Sequence, residues 1–329
     1  MRKANQSKYI KWALILVALV VLLVFPKFLT TNYYRRLFNQ VFINAIVLLG
    51  MNYITGLVGQ MNLGMAGMYA LGAYTAGLMT VKLGVSPWLG LIGAVFMGCL
   101  IGVVLGVPSL KITGIYLALT TMSFGEIVRI VLTNMANLTG GAAGLRGIPG
   151  YNLFGIVIDD DKSFYYLLLA FVIIMALIAH RIVNSKWGRA FKAVRDNEES
   201  VETCGINMSS IKLKAFMLSA IFGCVAGALY SSLMGYINPT DFSADLSVKF
   251  IMMLMLGGVG TISGSILGAG VVTLLPEALK FMDTYYWFVF CGIVLICSVI
   301  MPNGLIRIIL SAPDKIAKTS KSKAKAGEK

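Results

Sequence analysis

The sequence predicts an all-α, polytopic integral membrane protein of about ten transmembrane helices, some of them short or broken. Three observations carry this. Of 329 residues, 58% are hydrophobic and only 13% are charged, which is more apolar surface than one water-soluble core can hide. The apolar residues form runs of roughly 20, the length needed to cross a bilayer, separated by Gly, Pro, Asn or charge. The net charge of +14 is gathered at the two ends and in one connection between apolar runs, which is how a membrane protein uses lysine and arginine and excludes a nucleic-acid partner.

The elements follow in order. Residues 1–11 are basic, with Arg2, Lys3, Lys8 and Lys11 preceding a first span from Trp12 to Leu29. That run resembles a secretory signal, but Phe25-Pro26-Lys27-Phe28 supplies no small-residue cleavage site, so it is expected to remain as a helix. The spans after it are Leu37 to Val58, Gly67 to Val81, Trp88 to Val107, Gly114 to Leu132, Phe164 to His180, Ile211 to Gly235, Ser247 to Val259, Gly264 to Leu279 and Tyr285 to Met301. Together they make a membrane domain over residues 12–301, with a polar connection at about 181–210. Residues 302–329, rich in Lys, Ala and Ser, read as a disordered basic tail attracted to headgroups.

Orientation follows from the positive-inside rule. With the N-terminus cytoplasmic, the loop and both termini collect most of the lysines and arginines on one side. The other side holds Asp159-Asp160-Asp161, Asp241, Asp245 and Asp283. Arg35 and Arg36 run against the rule, and contact with anionic headgroups is the expected explanation.

Helices in lipid gain little from hydrophobic contact and associate through small residues. Gly98, Gly102 and Gly106 repeat every four residues; Gly260, Gly264 and Gly268 do the same; Gly223 and Gly227 mark another face. Tight packing is the plain expectation for each series. Two further stretches, Gly56 to Gly64 and Gly257 to Gly264, interrupt apolar runs with glycine, amides and hydroxyls. Broken helices lining a cavity and two inter-helix turns both fit this pattern. Their places in the two halves suggest a weak internal repeat.

Ionisable groups in the spans are few. Glu126 and Arg129, three apart on one helix face, are expected to neutralise each other or to shape a solute route. Thr120, Thr121 and Ser123 are expected to bond back to helix carbonyls. The five cysteines, Cys99, Cys204, Cys224, Cys291 and Cys297, have no ligand or disulfide spacing, and one histidine, His180, sits beside Arg181 at a helix end. No metal site, no cofactor and no catalytic residue is expected, and no Gly-x-x-x-x-Gly-Lys-Ser/Thr phosphate loop occurs, so ATP hydrolysis would need another polypeptide.

The connection from Asn184 to Asn207 has helical character, with Arg189, Lys192 and Arg195 on one face, Glu198, Glu199 and Glu202 beyond them, and Gly205 placed to end a helix. A solvated surface helix and a helix gripped by a partner's groove both fit. An ion-gradient-driven secondary transporter also remains open on composition.

At these residues the chain resembles the permeases of branched-chain amino-acid ABC importers, in particular the M-type permeases of the Liv system. The resemblance rests on Gly56 through Tyr74; on Phe124-Gly125-Glu126-Ile127 with Arg129, then Leu138-Thr139-Gly140-Gly141 and Gly144; on Gly188-Arg189-Ala190 through Gly205-Ile206-Asn207; and on Leu256 through Leu267. It implies a subunit of a bacterial inner-membrane importer for leucine, isoleucine and valine. The implied partners are a second permease subunit in a heterodimer, two cytoplasmic ATPases that hydrolyse the ATP, and an extracytoplasmic solute-binding protein. Urea and amide importers use similar permeases. The loop would be the coupling helix that docks on an ATPase through Gly188, Arg189, Ala190, Arg195, Glu198, Glu202 and Gly205. The family's alanine-rich centre is replaced by Ser200-Val201 and Thr203-Cys204, so that surface differs. Gly59, Gln60, Asn62, Gly64, Glu126, Thr139, Gly140 and Gly260 would line the route.

Overall fold

The computed structural model describes residues 31–153, 156–158, 160–280 and single positions between 285 and 306. The expected first span, most of the tenth, the basic N-terminus and the tail lie outside the described residues.

The eight spans expected in between are all helices. α1 (Asn32–Met51) runs on into a π-helical segment, Asn52–Val58. α2 (Met65–Lys82), α3 (Pro87–Ser109) and α4 (Gly114–Asn134) follow, then a short α5 (Ala136–Thr139). Three brief strands come next, β1 (Leu145–Arg146), β2 (Tyr151–Leu153) and β3 (Ile156–Ile158). After α6 (Asp161–Val183) come two short helices, α7 (Lys186–Asp196) and α8 (Glu198–Thr203). α9 (Met208–Met234), β4 (Tyr236–Ile237), α10 (Ala244–Gly257) and α11 (Ile262–Ala278) complete the described chain. The strands form two antiparallel ribbons, β1 with β4 and β2 with β3, which tie loops together at one end of the bundle.

Among the described residues, five helical stretches are long and apolar enough to cross a membrane alone. α10 is not: its 14 residues rise only about 21 Å against a hydrocarbon thickness of ~30 Å. α10 and α11 therefore work as a short hairpin inside the bundle.

Glycine sets how closely the helices approach. A Cβ on Gly98 would lie 2.7 Å from Ile221 Cα, one on Gly102 2.4 Å from Met217 Cα, and one on Gly106 2.5 Å from Leu213 Cδ1. The four-residue stripe of α3 thus rides on the four-residue row 213, 217, 221 of α9, the close-approach packing expected of small residues in lipid. Gly72 and Gly227 do the same between α2 and α9, where added Cβ atoms would meet Cys224 O at 2.2 Å and Tyr69 O at 2.1 Å. Gly264 and Gly268 close the hairpin against Gly257 and Met253. Gly260 is not part of that stripe, contrary to its spacing; it lies in the turn with φ +84°.

The window of Asn32–Val58 is 94% buried, whereas those of α4 and α6 are 33% and 28% buried. α1 and α9 are interior columns; α4 and α6 are outer walls. The two ends of the bundle also separate. One carries Val58–Gly64, Ser109–Gly114, α7, α8 and Gly257–Thr261; the other carries the ribbons and the start of α1. At that second end Arg36 pairs with Asp161 at 3.0 Å. Arg36 thus has an acidic partner on α6, while its side chain stays 64% exposed.

A candidate coupling and translocation site

The loop after α6 is built by local rules. The Ser185 hydroxyl accepts from Trp187 N to cap α7, Asn197 Oδ1 accepts from Ser200 N to cap α8, and Asn207 Oδ1 accepts from Ser210 N to cap α9. α8 ends as expected at Gly205 (φ +76°), whose N–H donates to Glu202 O while Ile206 N donates to Val201 O, the paired bonds of a Schellman stop. Gly188 permits the tight turn from α6, because a Cβ there would sit 2.1 Å from Val183 O.

One amphipathic helix was expected here; there are two, broken at the Asn197 cap. Their buried face is Gly188, Phe191, Val194 and Val201, with Arg189, Lys192, Glu199 and Glu202 outward and Ala190 and Glu198 half-buried. Phe191, wholly buried, packs edge-on against Tyr53 with ring centroids 6.5 Å apart. Glu198 does not answer the arginines of α7. It pairs at 2.9 Å with Lys212, which is only 2% exposed and lies at the base of α9.

Arg195, although exposed, reaches across to the π-helical segment. Its Nη1 donates to Gly56 O at 2.7 Å, and its stem lies where a Cβ on Gly59 would be, 3.0 Å from Arg195 Cγ. Gly260 lies on the other side of the guanidinium, its notional Cβ 3.5 Å from Nη1. The two glycine-broken stretches are therefore in contact, and Asn52 clasps them: its Oδ1 accepts from Gly260 N at 2.8 Å. Both stretches are inter-helix turns; in the first, Gly59 and Met61 are exposed while Gln60, Asn62 and Gly64 are buried. Leu63 N donates to Thr121 Oγ1, seven residues into α4, so the Gly59–Gly64 turn enters the bundle by about 10 Å.

That re-entrant turn is polar inside. Gln60 and Asn62 are buried; Asn62 Oδ1 accepts from Gly64 N, while both ends of the Gln60 amide, Asn62 Nδ2, Tyr53 Oη and Thr55 Oγ1 have no hydrogen-bond partner. Buried amides without partners are costly and are kept where water or a passing solute can answer them.

The outer wall α4 carries the second polar feature. Glu126 and Arg129 form the expected ion pair, with Arg129 Nε donating to Glu126 Oε1 at 2.9 Å. Thr120 bonds back to Tyr116 O and Thr121 to Leu117 O. Thr120, Ser123, Glu126 and Arg129 form a stripe at steps of three, flanked by exposed Ile115, Leu119, Ile127 and Ile130. Grooves beside the stripe take in Lys111 and Thr113 at one end and Ser243 and Asp245 at the other.

Thr139 and Gly140 are elsewhere. Thr139 Oγ1 donates to Leu132 O, and Gly140 (φ +79°) closes on Gly144 O, so both shape the tight loop at the ribbon end. The eight expected route residues thus fall into three places: the re-entrant junction, the α4 stripe and the far loop. Sequence reasoning missed Asn52, Tyr53 and Phe191, the residues that bind the loop to the junction. An asparagine inside an apolar run was the available signal for the first. Among the described residues no group of His, Cys, Asp and Glu is placed to hold a metal.

The family model for the branched-chain amino acid transport system permease component matches residues 33–299. The chain is 32% identical, over 92% of its length and 77% of the relative's, to the high-affinity branched-chain amino acid transport system permease protein LivM of Escherichia coli K12. It is 25% identical to the ribose import permease protein RbsC of Haemophilus influenzae, over 89% and 92% of the two chains. To the autoinducer 2 import system permease protein LsrC of Yersinia pseudotuberculosis serotype O:3 it is 27% identical, over 70% and 66%. No solved structure matches. With its helices, its glycine-closed core and its matched span of nearly the whole described chain, the protein belongs to the branched-chain amino acid transport system permease family, a multi-pass membrane permease of ABC importers and not an enzyme.

Proposed function

We propose that this chain is the permease subunit of an inner-membrane importer for leucine, isoleucine and valine, driven by partner ATPases through α7 and α8. The observation that carries the reading is the Arg195 guanidinium on Gly56 O beside Gly260. It joins the connection that a cytoplasmic ATPase would push to the two turns that line the interior. The loop end is then cytoplasmic, which agrees with Arg181, Lys186, Arg189, Lys192 and Lys214 lying there. The ribbon end faces a solute-binding protein.

In this mechanism ATP binding in the partners moves α7 and α8. Phe191 and Arg195 carry the displacement to the Gly56–Gly64 and Gly257–Thr261 turns, whose glycines permit them to re-form. The α4 stripe supplies polar groups to a solute on an otherwise apolar wall, and a second permease subunit opposite it would enclose the route. Substrate class rests on the LivM relatives; the ribose and autoinducer 2 permeases named above make sugar-like solutes the competing reading. A urea or amide importer would share the same frame. An ion-coupled carrier finds less support, because Glu126, the one acidic residue of α4, is already neutralised by Arg129.

The test is reconstitution. The chain with its permease partner, ATPases and binding protein in proteoliposomes is expected to accumulate leucine only with ATP. Uptake by the chain alone under an ion gradient would defeat the proposal; ATP-driven uptake of ribose and not leucine would replace the substrate class.

A further inference from the structure

Lys249 stands out among the charged groups of the bundle. It lies five residues into α10, about 8 Å from the helix start, and is half-buried. Among the described residues it makes no ion pair: Arg36, Arg129, Lys212 and Lys280 have the four recorded acidic contacts. The acid across the neighbouring cavity, Glu277, is taken by the Tyr33 hydroxyl at 2.5 Å and by Lys280. Asp245, four residues before it on the same helix face, is a natural i,i+4 partner and yet is not bonded to it. A half-buried ammonium within the helical bundle with no acidic partner among the described residues is a position where a ligand's carboxylate could serve.

Lys249 lines a cavity of about 470 Å³ with Asp245, Leu246, Val248, Met252 and Pro276, within the ~300–1,000 Å³ span of small-solute sites. The 245, 248, 249, 252 spacing is one helical face, while Ser247, Phe250, Met253 and Leu254 pack the other. Asp241, also at the cavity, is half-committed, its Oδ2 accepting from Asn238 N at 3.2 Å. The wall thus offers a cation, a carboxylate one turn away and aliphatic surface beside both. Asp245 also borders the groove that holds Glu126 and Arg129, so the cavity opens towards the α4 stripe.

We propose that this cavity is a way-station for an α-amino acid with an aliphatic side chain: Lys249 receives the carboxylate, Asp245 the ammonium, and Val248, Met252 and Pro276 the hydrocarbon. This rests on the importer reading and narrows its substrate class, since a sugar carries neither charge. The experiment uses the whole importer in proteoliposomes and measures leucine moved per ATP hydrolysed. Lys249→Gln and Asp245→Asn are each expected to lower that ratio about tenfold, as loss of a charge-assisted contact does, and Lys249→Arg to restore most of it. In a cysteine-free background, Lys249→Cys is expected to be protected by leucine from thiol reagents and to regain uptake with a cationic reagent but not a neutral one. A ratio unchanged in both neutral variants, or labelling indifferent to leucine, overturns the site while wild-type leucine uptake leaves the importer reading intact. If the wild-type importer moves no amino acid at all, the importer reading fails first.

Discussion

Gly56→Ala tests the junction most directly. The new Cβ would lie 1.9 Å from Asn52 Oδ1 and 2.8 Å from Gly260 N. The amide of Asn52 must swing away, which breaks its 2.8 Å bond from Gly260 N, and the two turns must separate. A buried N–H left without its acceptor costs about 1–3 kcal/mol, and overpacking a close contact costs a similar amount. At the lower bound of the two together, about 2 kcal/mol, the open fraction of the junction rises close to thirtyfold. Hydrogen exchange read by mass spectrometry on protein in nanodiscs is expected to show faster uptake in the peptide spanning Met255 to Ile262 and in α7. Gly270→Ala is the control, since outside its own helix turn the new Cβ would meet, among the described residues, Val41 Cγ1 at 4.0 Å. Equal exchange in the two variants would refute the idea that Gly56, Asn52 and Gly260 hold the turns together.

Other perturbations separate the links of the chain. Arg195→Lys keeps the charge but not the planar fork, and it is expected to lower solute moved per ATP severalfold, whereas Lys192→Ala, outward on the same helix, is expected to change the ratio little at the loop's inner contact. Gly188→Ala drives a Cβ to 2.1 Å from Val183 O; reduced co-purification of ATPase with normal membrane insertion is the expected result, checked by pull-down and membrane fractionation. Gly102→Leu forces α3 away from Met217, at a cost of about 3 kcal/mol or more, seen as a lower melting temperature in detergent. Glu198→Gln leaves Lys212 (2% exposed) without its anion. With Glu198 itself 41% exposed, solvent screening holds the cost to about 1 kcal/mol, measured as increased proteolysis of the α8–α9 connection.

Much of the fold is legible in the chain because lipid imposes simple rules. Every expected span between Leu37 and Leu279 is a helix, and the Gly98–Gly102–Gly106 stripe does pack. The loop's stop at Gly205 and the Glu126–Arg129 pair were equally readable, since both depend on neighbours within four residues. What was not readable depends on distant contact. That Arg195 reaches Gly56 O, that Glu198 chooses Lys212 and that Gly56 touches Gly260 are tertiary choices with no local signature. Gly260 misled for the same reason: its four-residue spacing matches a helical stripe, but its positive φ puts it in a turn.

The inward position of α1 has a consequence for biogenesis. Asn39 and Asn44 are almost completely enclosed, and Asn44 Nδ2 finds its acceptor, Thr273 Oγ1, 229 residues further along the chain. During synthesis this early helix therefore enters the bilayer before its partners exist: Asn39 waits for Asp161 O at the start of α6, and Asn44 waits beside lipid or a chaperone until α11 emerges. A nascent chain halted after α6 has Asp161 O in place for Asn39 but would still present the Asn44 amide to hydrocarbon, which makes the interval before α11 the stage at which quality control has the most to recognise.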